Sequence, residues 1–249
     1  MVLADYNDKN YDYTRYWDGR DYENASEYIA LKSLLPSDYD ESKKVIDVGG
    51  GFGRLLPIFK QRFGSIYIFD YSKKLLETAE ENASKLGLKI NTVNGDVNEI
   101  SSLVSERFDF VTMIRVSHHL DDLEKVILQI KKILNKDGVF ILEVANKIHF
   151  KSLISNIVKG NFGYFKKDSV SVATKDVTFL NHHPKRVEEI LKKCGFKIEK
   201  KLSVSNFRHQ FFKKYIPIKI LLFLEKNMQK IGACVYFGPS IFYKVVNEE

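Results

Sequence analysis

From Lys43 onward, short β-branched runs alternate with amphipathic helical patterns, and this alternation constrains the fold of the 249-residue chain more than any other feature. Candidate strands span residues 45–48, 66–70, 90–93, 110–115 and 139–144. Their near-continuous apolar character suits strands covered on both faces. The helices between them have readable ends. Ser72 caps a helix that buries Leu75, Leu76, Ala79, Ala83 and Leu86 and stops at Gly87. Asp121, with Glu124 three residues on, opens another that buries Leu123, Ile127, Ile130 and Leu134. Pro184 starts a third, burying Val187, Ile190, Leu191 and Cys194 and ending at Gly195. Residues 196–204 and 240–246 add two strands. Seven strands with intervening helices predict an α/β fold with a doubly wound, mostly parallel sheet, which binds ligands at the carboxyl ends of its strands.

No repeat, low-complexity tract or linker divides the chain, so residues 1–249 read as a single domain. Within it, residues 1–41 form an N-terminal helical arm, 42–146 a ligand-binding core, and 147–249 the substrate-side helices with the last two strands. An apolar fraction of 44% with 29% charged residues excludes a disordered chain. The longest apolar run, near residues 216–224, is interrupted by Lys219 and falls short of the ~20 residues a spanning helix needs. With no signal-like N-terminus and only two cysteines, Cys194 and Cys234, the expected location is cytoplasmic. No metal is expected, because neither the cysteines nor the histidines have ligand-like spacing or a carboxylate-rich partner. The net charge of +7 is uneven: residues 1–41 carry 4 basic against 10 acidic side chains, and residues 147–249 carry 20 against 8. The acidic arm is expected to lie against the basic final third, whose lysines are either solvated helix faces or a surface for an acidic substrate, an anionic membrane or nucleic acid.

The first strand runs into Asp47-Val48-Gly49-Gly50-Gly51-Phe52-Gly53-Arg54 and then a helix burying Leu55, Leu56 and Phe59. Glycines at 49, 51 and 53 allow a sharp turn and close backbone approach to a ligand, beside a helix N-terminus that favours an anionic group. Asp70 ends the second strand, 19 residues after Gly51, where a carboxylate accepts ribose hydroxyls of either a dinucleotide or S-adenosylmethionine. The dinucleotide spacing G-x-G-x-x-G/A fails in both registers, ending on Arg54 or on Leu56. Asp96, after the third strand, is placed to accept from an adenine amine while the Val97 N–H reaches a ring nitrogen; an ordinary Asx turn is the other reading.

On Asp47, Gly49, Gly51, Gly53, Asp70, Asp96, the 108–111 and 117–120 segments and 134–138, the chain resembles the class I S-adenosylmethionine-dependent methyltransferases, in particular the small-molecule branch that includes quinone-biosynthesis enzymes. The resemblance runs from about residue 43 to 146, with Lys136-Asp137 where the family often has Pro-Gly. It implies a Rossmann-like seven-stranded sheet with a reversed last strand, a helical lid from the N-terminus and a substrate-side insertion after the fifth strand. It also implies S-adenosylmethionine as cofactor and methyl transfer by in-line displacement. Arg20, Asp47, Gly49, Gly51, Asp70, Tyr71, Asp96, Val97 and Arg115 become the expected cofactor-binding residues.

His118 and His119 follow the fourth strand and are candidate catalytic groups, as general base or as orienters of an acceptor hydroxyl; a pair that only shapes the pocket is the alternative. His182 and His183 flank the Pro184 helix start, where capping or substrate contact is expected. The arm is rich in aromatics, Tyr6, Tyr11, Tyr13, Tyr16, Trp17, Tyr22 and Tyr28, whose faces suit a sulfonium cation, with Arg20 available for the cofactor carboxylate. Residues 207–231 combine apolar and basic side chains, with a helix expected from Pro217 to residue 229. That helix either packs on the sheet or at a dimer contact, or lies on an anionic membrane. The expected acceptor is a small or lipid-like molecule. An Arg-Val-Ser-His segment after the fourth strand, in place of the Asn/Asp-Pro-Pro-aromatic motif, argues against methylation of a nucleic-acid base amine. A protein or RNA methyltransferase, an NAD-type oxidoreductase and a non-catalytic cofactor-binding module complete the readings. Oligomeric state is not legible.

Overall fold

Val45, Ile46 and Val48 lie in one short run because the first strand is covered on both faces: Val45 packs with one core and Ile46 and Val48 with the other. The computed structural model describes residues 13–173 and 178–248. Its strands are β1 (Asp40–Val48), β2 (Phe63–Asp70), β3 (Asn91–Asn94), β4 (Phe108–Met113), β5 (Leu134–Ala145), β6 (Ser169–Ala173), β7 (Thr178–His182), β8 (Phe196–Val204) and β9 (Ser240–Asn247). The principal sheet has the order β3-β2-β1-β4-β5-β9-β8. Neighbours from β3 to β5 are parallel, and β9 runs antiparallel to both β5 and β8. This is the doubly wound seven-stranded sheet that the strand and helix pattern predicts, with the reversed last strand that the family resemblance implies.

The helices are α1 (Asp21–Leu34), α2 (Leu56–Phe59), α3 (Lys73–Lys85), α4 (Ile100–Leu103), α5 (Leu123–Ile133), α6 (Phe150–Val158), α7 (Gly163–Lys166), α8 (Pro184–Lys193), α9 (Gln210–Tyr215) and α10 (Ile218–Ala233). Leu123, Val126, Ile127 and Ile130 of α5 and Val187 and Leu191 of α8 seal one face of the sheet. Ala30 and Leu31 of α1, Leu56 and Phe59 of α2, and Leu76 and Ala83 of α3 seal the other. The acidic arm does meet the basic third: Lys213 pairs with Glu23 at 2.9 Å, and Tyr22 donates to Glu225 of α10 at 2.6 Å.

Several boundaries differ from expectation. The cap of α5 is Asp122, whose Oδ1 accepts from the Lys125 N–H at 2.9 Å, and not Asp121. The shift of one residue puts Leu123 at the first helical position and its apolar stripe on the core. Leu134 begins β5 instead of closing α5, and Leu86 is half-buried. The helix after the glycine turn is a single turn, with Pro57 in the first-turn position that needs no N–H donor, because the chain returns at once to β2. β4 stops at Met113, two residues early, since Arg115 takes a left-handed φ of 62°. The insertion after β5 carries an unforeseen hairpin, β6–β7, which forms its own two-stranded sheet.

Candidate active site

Four strands of the principal sheet deliver side chains to one edge. Asp47, one residue before the end of β1, is 3% exposed, and its Oδ1 accepts from the Thr112 hydroxyl of β4 at 2.6 Å. Burial pushes its pKa up to about 7, against the opposing pull of Thr112 and Arg54. Gly49 follows with φ of 71°, its N–H donating to the Phe69 carbonyl at 2.7 Å. A Cβ at this position would run into the Val116 side chain, so only glycine fits.

Asp70 holds the turn from the neighbouring strand. Its Oδ2 accepts from the Gly51 N–H and its Oδ1 from the Ser72 N–H, both at 2.8 Å. Each carboxylate oxygen has a second lone pair for a hydroxyl, so fixing the turn and receiving a ribose are compatible tasks. Burial raises the Asp70 pKa while those two N–H groups lower it. Tyr71, next in the chain, is 67% exposed. Asp96 is exposed and forms the Asx turn named as the alternative reading, with Oδ1 accepting from the Asn98 N–H at 2.8 Å. Val97 packs against the core beside it.

A second cluster was missed in the sequence. Glu27 of α1 is 1% exposed and bridges Arg54 at 2.6 Å and Arg115 at 2.9 Å. The Arg54 guanidinium lies over Trp17 at 4.1 Å, and Arg115 lies over Tyr16 at 4.7 Å and Trp17 at 5.1 Å. Arg115 also hydrogen-bonds the Tyr16 hydroxyl, and its N–H donates to Glu143 at 2.9 Å. These groups close a cavity of about 30 Å³ lined by Trp17, Asp47, Gly49, Gly50, Arg54 and Arg115, among others. The volume suits water only. The Trp17 Nε1 is buried with no hydrogen-bond partner among the described residues, a donor in the wall of a cavity that also holds Arg54 and Arg115. A carboxylate-bearing ligand fits this chemistry. Arg20 is not in the wall; it donates to the Tyr16 hydroxyl at 2.9 Å and lies over that ring. Of the arm aromatics, Tyr6 and Tyr11 and the Tyr13 side chain lie outside the described residues. The legible sign of Glu27 was a carboxylate three and four residues before Ala30 and Leu31, on the apolar side of its own helix.

His118 and His119 form a 3-10 turn after β4, with ring centroids 4.1 Å apart. Phe179 of β7 covers both, at 5.1 and 5.3 Å. His182 anchors the hairpin there through Nε2 and the Ser117 carbonyl at 3.0 Å. Burial holds His118 well below the ordinary imidazole pKa, and burial with Arg115 pushes His119 down to about 4. Both rings are therefore neutral at pH 7. His183 precedes α8 without a side-chain cap bond.

The strand order, with a glycine turn after β1 and carboxylates after β2 and β3, is that of the class I S-adenosylmethionine-dependent methyltransferases, and the sequence matches point to the same class. Residues 46–142 match the family described as Methyltransferase domain. An uncharacterised protein of Methanocaldococcus jannaschii is 25% identical over 193 residues, 71% of this chain and 70% of its own. A ubiquinone biosynthesis O-methyltransferase of Rickettsia canadensis is 25% identical over 209 residues, 81% of this chain and 84% of its own. Among solved structures, an S-adenosylmethionine-dependent methyltransferase of Clostridium acetobutylicum shares the fold with a TM-score of 0.62 at 16% identity, covering 95% of this chain and 97% of its own. Magnesium protoporphyrin IX methyltransferase of Synechocystis, solved with S-adenosylhomocysteine, aligns with a TM-score of 0.59 at 16% identity, covering 98% and 91%.

Proposed function

We propose that this enzyme methylates a small or lipid-like acceptor at the edge formed by the ends of β1, β4 and β5. The observation that carries the reading is the meeting of two clusters at one cavity: the glycine turn that Asp70 holds through Gly51 contributes Gly49 and Gly50 to its wall, and the Glu27 bridge contributes Arg54 and Arg115. S-adenosylmethionine, when bound, supplies an electrophilic methyl group and a neutral thioether leaving group. Asp70 would receive its ribose, Asp96 and Val97 its adenine, with Tyr71 beside them. Arg54 and Arg115 would hold its carboxylate, a role first expected of Arg20. The arm aromatics Tyr16 and Trp17 lie over both arginines, so they must shift for a ligand to enter and would exclude water once it is in.

His118 and His119 flank the reacting edge as neutral acceptors that would orient an acceptor group once Phe179 moves aside. Their depressed basicity favours orientation over bulk proton uptake. The ubiquinone biosynthesis O-methyltransferases among the relatives support a small, apolar acceptor. The test is transfer of labelled methyl from S-adenosylmethionine into fractionated cell extract. Label in a solvent-extractable small molecule is the expected result; label in RNA or protein would overturn the acceptor class. Calorimetric binding of NAD without binding of S-adenosylhomocysteine would overturn the site assignment.

A further inference from the structure

Helices α6 and α10 are built the wrong way round for a protein that meets only water. In α10 the inward side carries Leu221, Glu225 and Gln229, all buried. Glu225 there accepts from the Ser205 and Asn206 N–H groups at 2.8 and 3.0 Å and from Tyr22. The outward side carries Ile220, Phe223, Leu224 and Ile231, at helical spacings of three, four and eleven residues. Phe223 is 68% and Ile231 66% exposed. In α6 no residue is buried, and Phe150, Leu153, Ile154, Ile157 and Val158 are all exposed. Phe150 stacks on Phe237 at 4.9 Å, which joins the start of α6 to the turn after α10. An apolar surface of this extent on a soluble domain marks a contact site.

The charge beside it selects the partner. Lys219, Lys226 and Lys230 fall on one border of the α10 stripe, at spacings of seven and four residues, and Lys151 and Lys159 bracket α6. Between residues 147 and 167 there is no acidic side chain, and between 207 and 235 only the buried Glu225. A second copy of this face would set lysine against lysine, and an RNA would leave the aliphatic stripe bare. An anionic bilayer answers both features, taking up the apolar side chains and attracting the lysines. Among the described residues no helix is long and apolar enough to cross a membrane, so the contact is peripheral.

We propose that the outward faces of α6 and α10 dock the enzyme on an anionic lipid surface. Helix α6 follows β5, whose carboxyl end borders the candidate active site, and the Phe150–Phe237 stack ties α10 to the start of α6, so docking would bring that edge towards molecules dissolved in the bilayer. The inference does not need the methyl-transfer reading. A chain that binds vesicles but not S-adenosylhomocysteine keeps it, and one with the opposite behaviour loses it.

The experiment is sedimentation of the full chain with phosphatidylglycerol–phosphatidylcholine vesicles and with phosphatidylcholine alone, in low and high salt. At least tenfold stronger partitioning to the anionic vesicles is expected, weakened by salt. The Lys219→Glu, Lys226→Glu, Lys230→Glu triple variant should lose roughly a hundredfold or more. Phe223→Glu with Ile231→Glu should lose at least tenfold, as should the independent pair Leu153→Glu with Ile157→Glu. Retained S-adenosylhomocysteine binding and far-ultraviolet dichroism show which variants remain folded. Absence of binding in low salt, equal binding to both vesicle types, or a concentration-dependent dimer abolished by Phe223→Glu would overturn the proposal.

Discussion

Replacing Asp47 with asparagine separates what this carboxylate does for the fold from what it does for the ligand. Its side chain is 3% exposed and its pKa stands at about 7, against 3.8 for the free side chain. The native state therefore binds more protons than the unfolded chain between those values, and stability falls as pH rises through that window. Each tenfold in protonation is worth about 1.4 kcal/mol, so keeping Asp47 ionised in the fold at pH 8 costs on the order of 4 kcal/mol. At pH 5 the native group is protonated and the cost falls to on the order of 2 kcal/mol, that of taking up the proton. Asparagine keeps an oxygen for the Thr112 hydroxyl and removes the ionisation. Asp47→Asn should unfold at higher urea concentration than wild type at pH 8, with a smaller gain at pH 5. S-adenosylhomocysteine affinity, followed by calorimetry, should fall at least several-fold. The reasoning is refuted if urea midpoints of the two proteins run parallel between pH 5 and 8, since Asp47 would then be adequately solvated in the native state.

Asp70→Ala removes the acceptor for the Gly51 and Ser72 N–H groups as well as the ribose site; calorimetry should show cofactor affinity lower by roughly 1.5–3 kcal/mol. Glu27→Gln leaves Arg54 and Arg115 without their shared carboxylate and should cost about 3 kcal/mol in chemical denaturation, with faster proteolysis of the arm. Asn at His118 or His119 should lower turnover of the acceptor found by labelling more than it lowers cofactor affinity. Because burial and Arg115 hold His119 near 4, and burial holds His118 well below its ordinary value, neither ring should titrate in wild-type turnover between pH 6 and 8. A bell with a limb near pH 6.5 that disappears in either variant would contradict this.

Much of the sheet was legible because the evidence for it is local. β-branched runs, glycine stops and caps such as Ser72, whose hydroxyl accepts from the Leu75 N–H, act within a few residues of themselves. The cap of α5 was misplaced by one residue because Asp121 and Asp122 offer the same chemistry, and only the packing of Leu123 chooses between them. The strand-end carboxylates were legible for the same local reason. The bridge from Glu27 to Arg54 and Arg115 was not, since it joins α1 to positions 27 and 88 residues away. Arg54 entered the sequence argument only as a misfit in a dinucleotide motif. The cover of His118 and His119 by Phe179 likewise depends on a hairpin whose strands carry no strong pattern of their own.

The position of β9 has a kinetic consequence. It is the last strand of the sheet to be synthesised, yet it lies between β5 and β8, both made before it. Until residues 240–247 emerge and pair, β8 has no neighbour in the sheet and β5 presents a bare edge whose residues 139–144 are otherwise buried. An exposed apolar strand edge of that length templates pairing with other chains. A nascent or truncated chain that stops before Ser240 is thus an aggregation-prone intermediate lacking a closing strand, and insertion of β9 between β5 and β8, after α9 and α10 have been made, becomes the step that protects the polypeptide during synthesis.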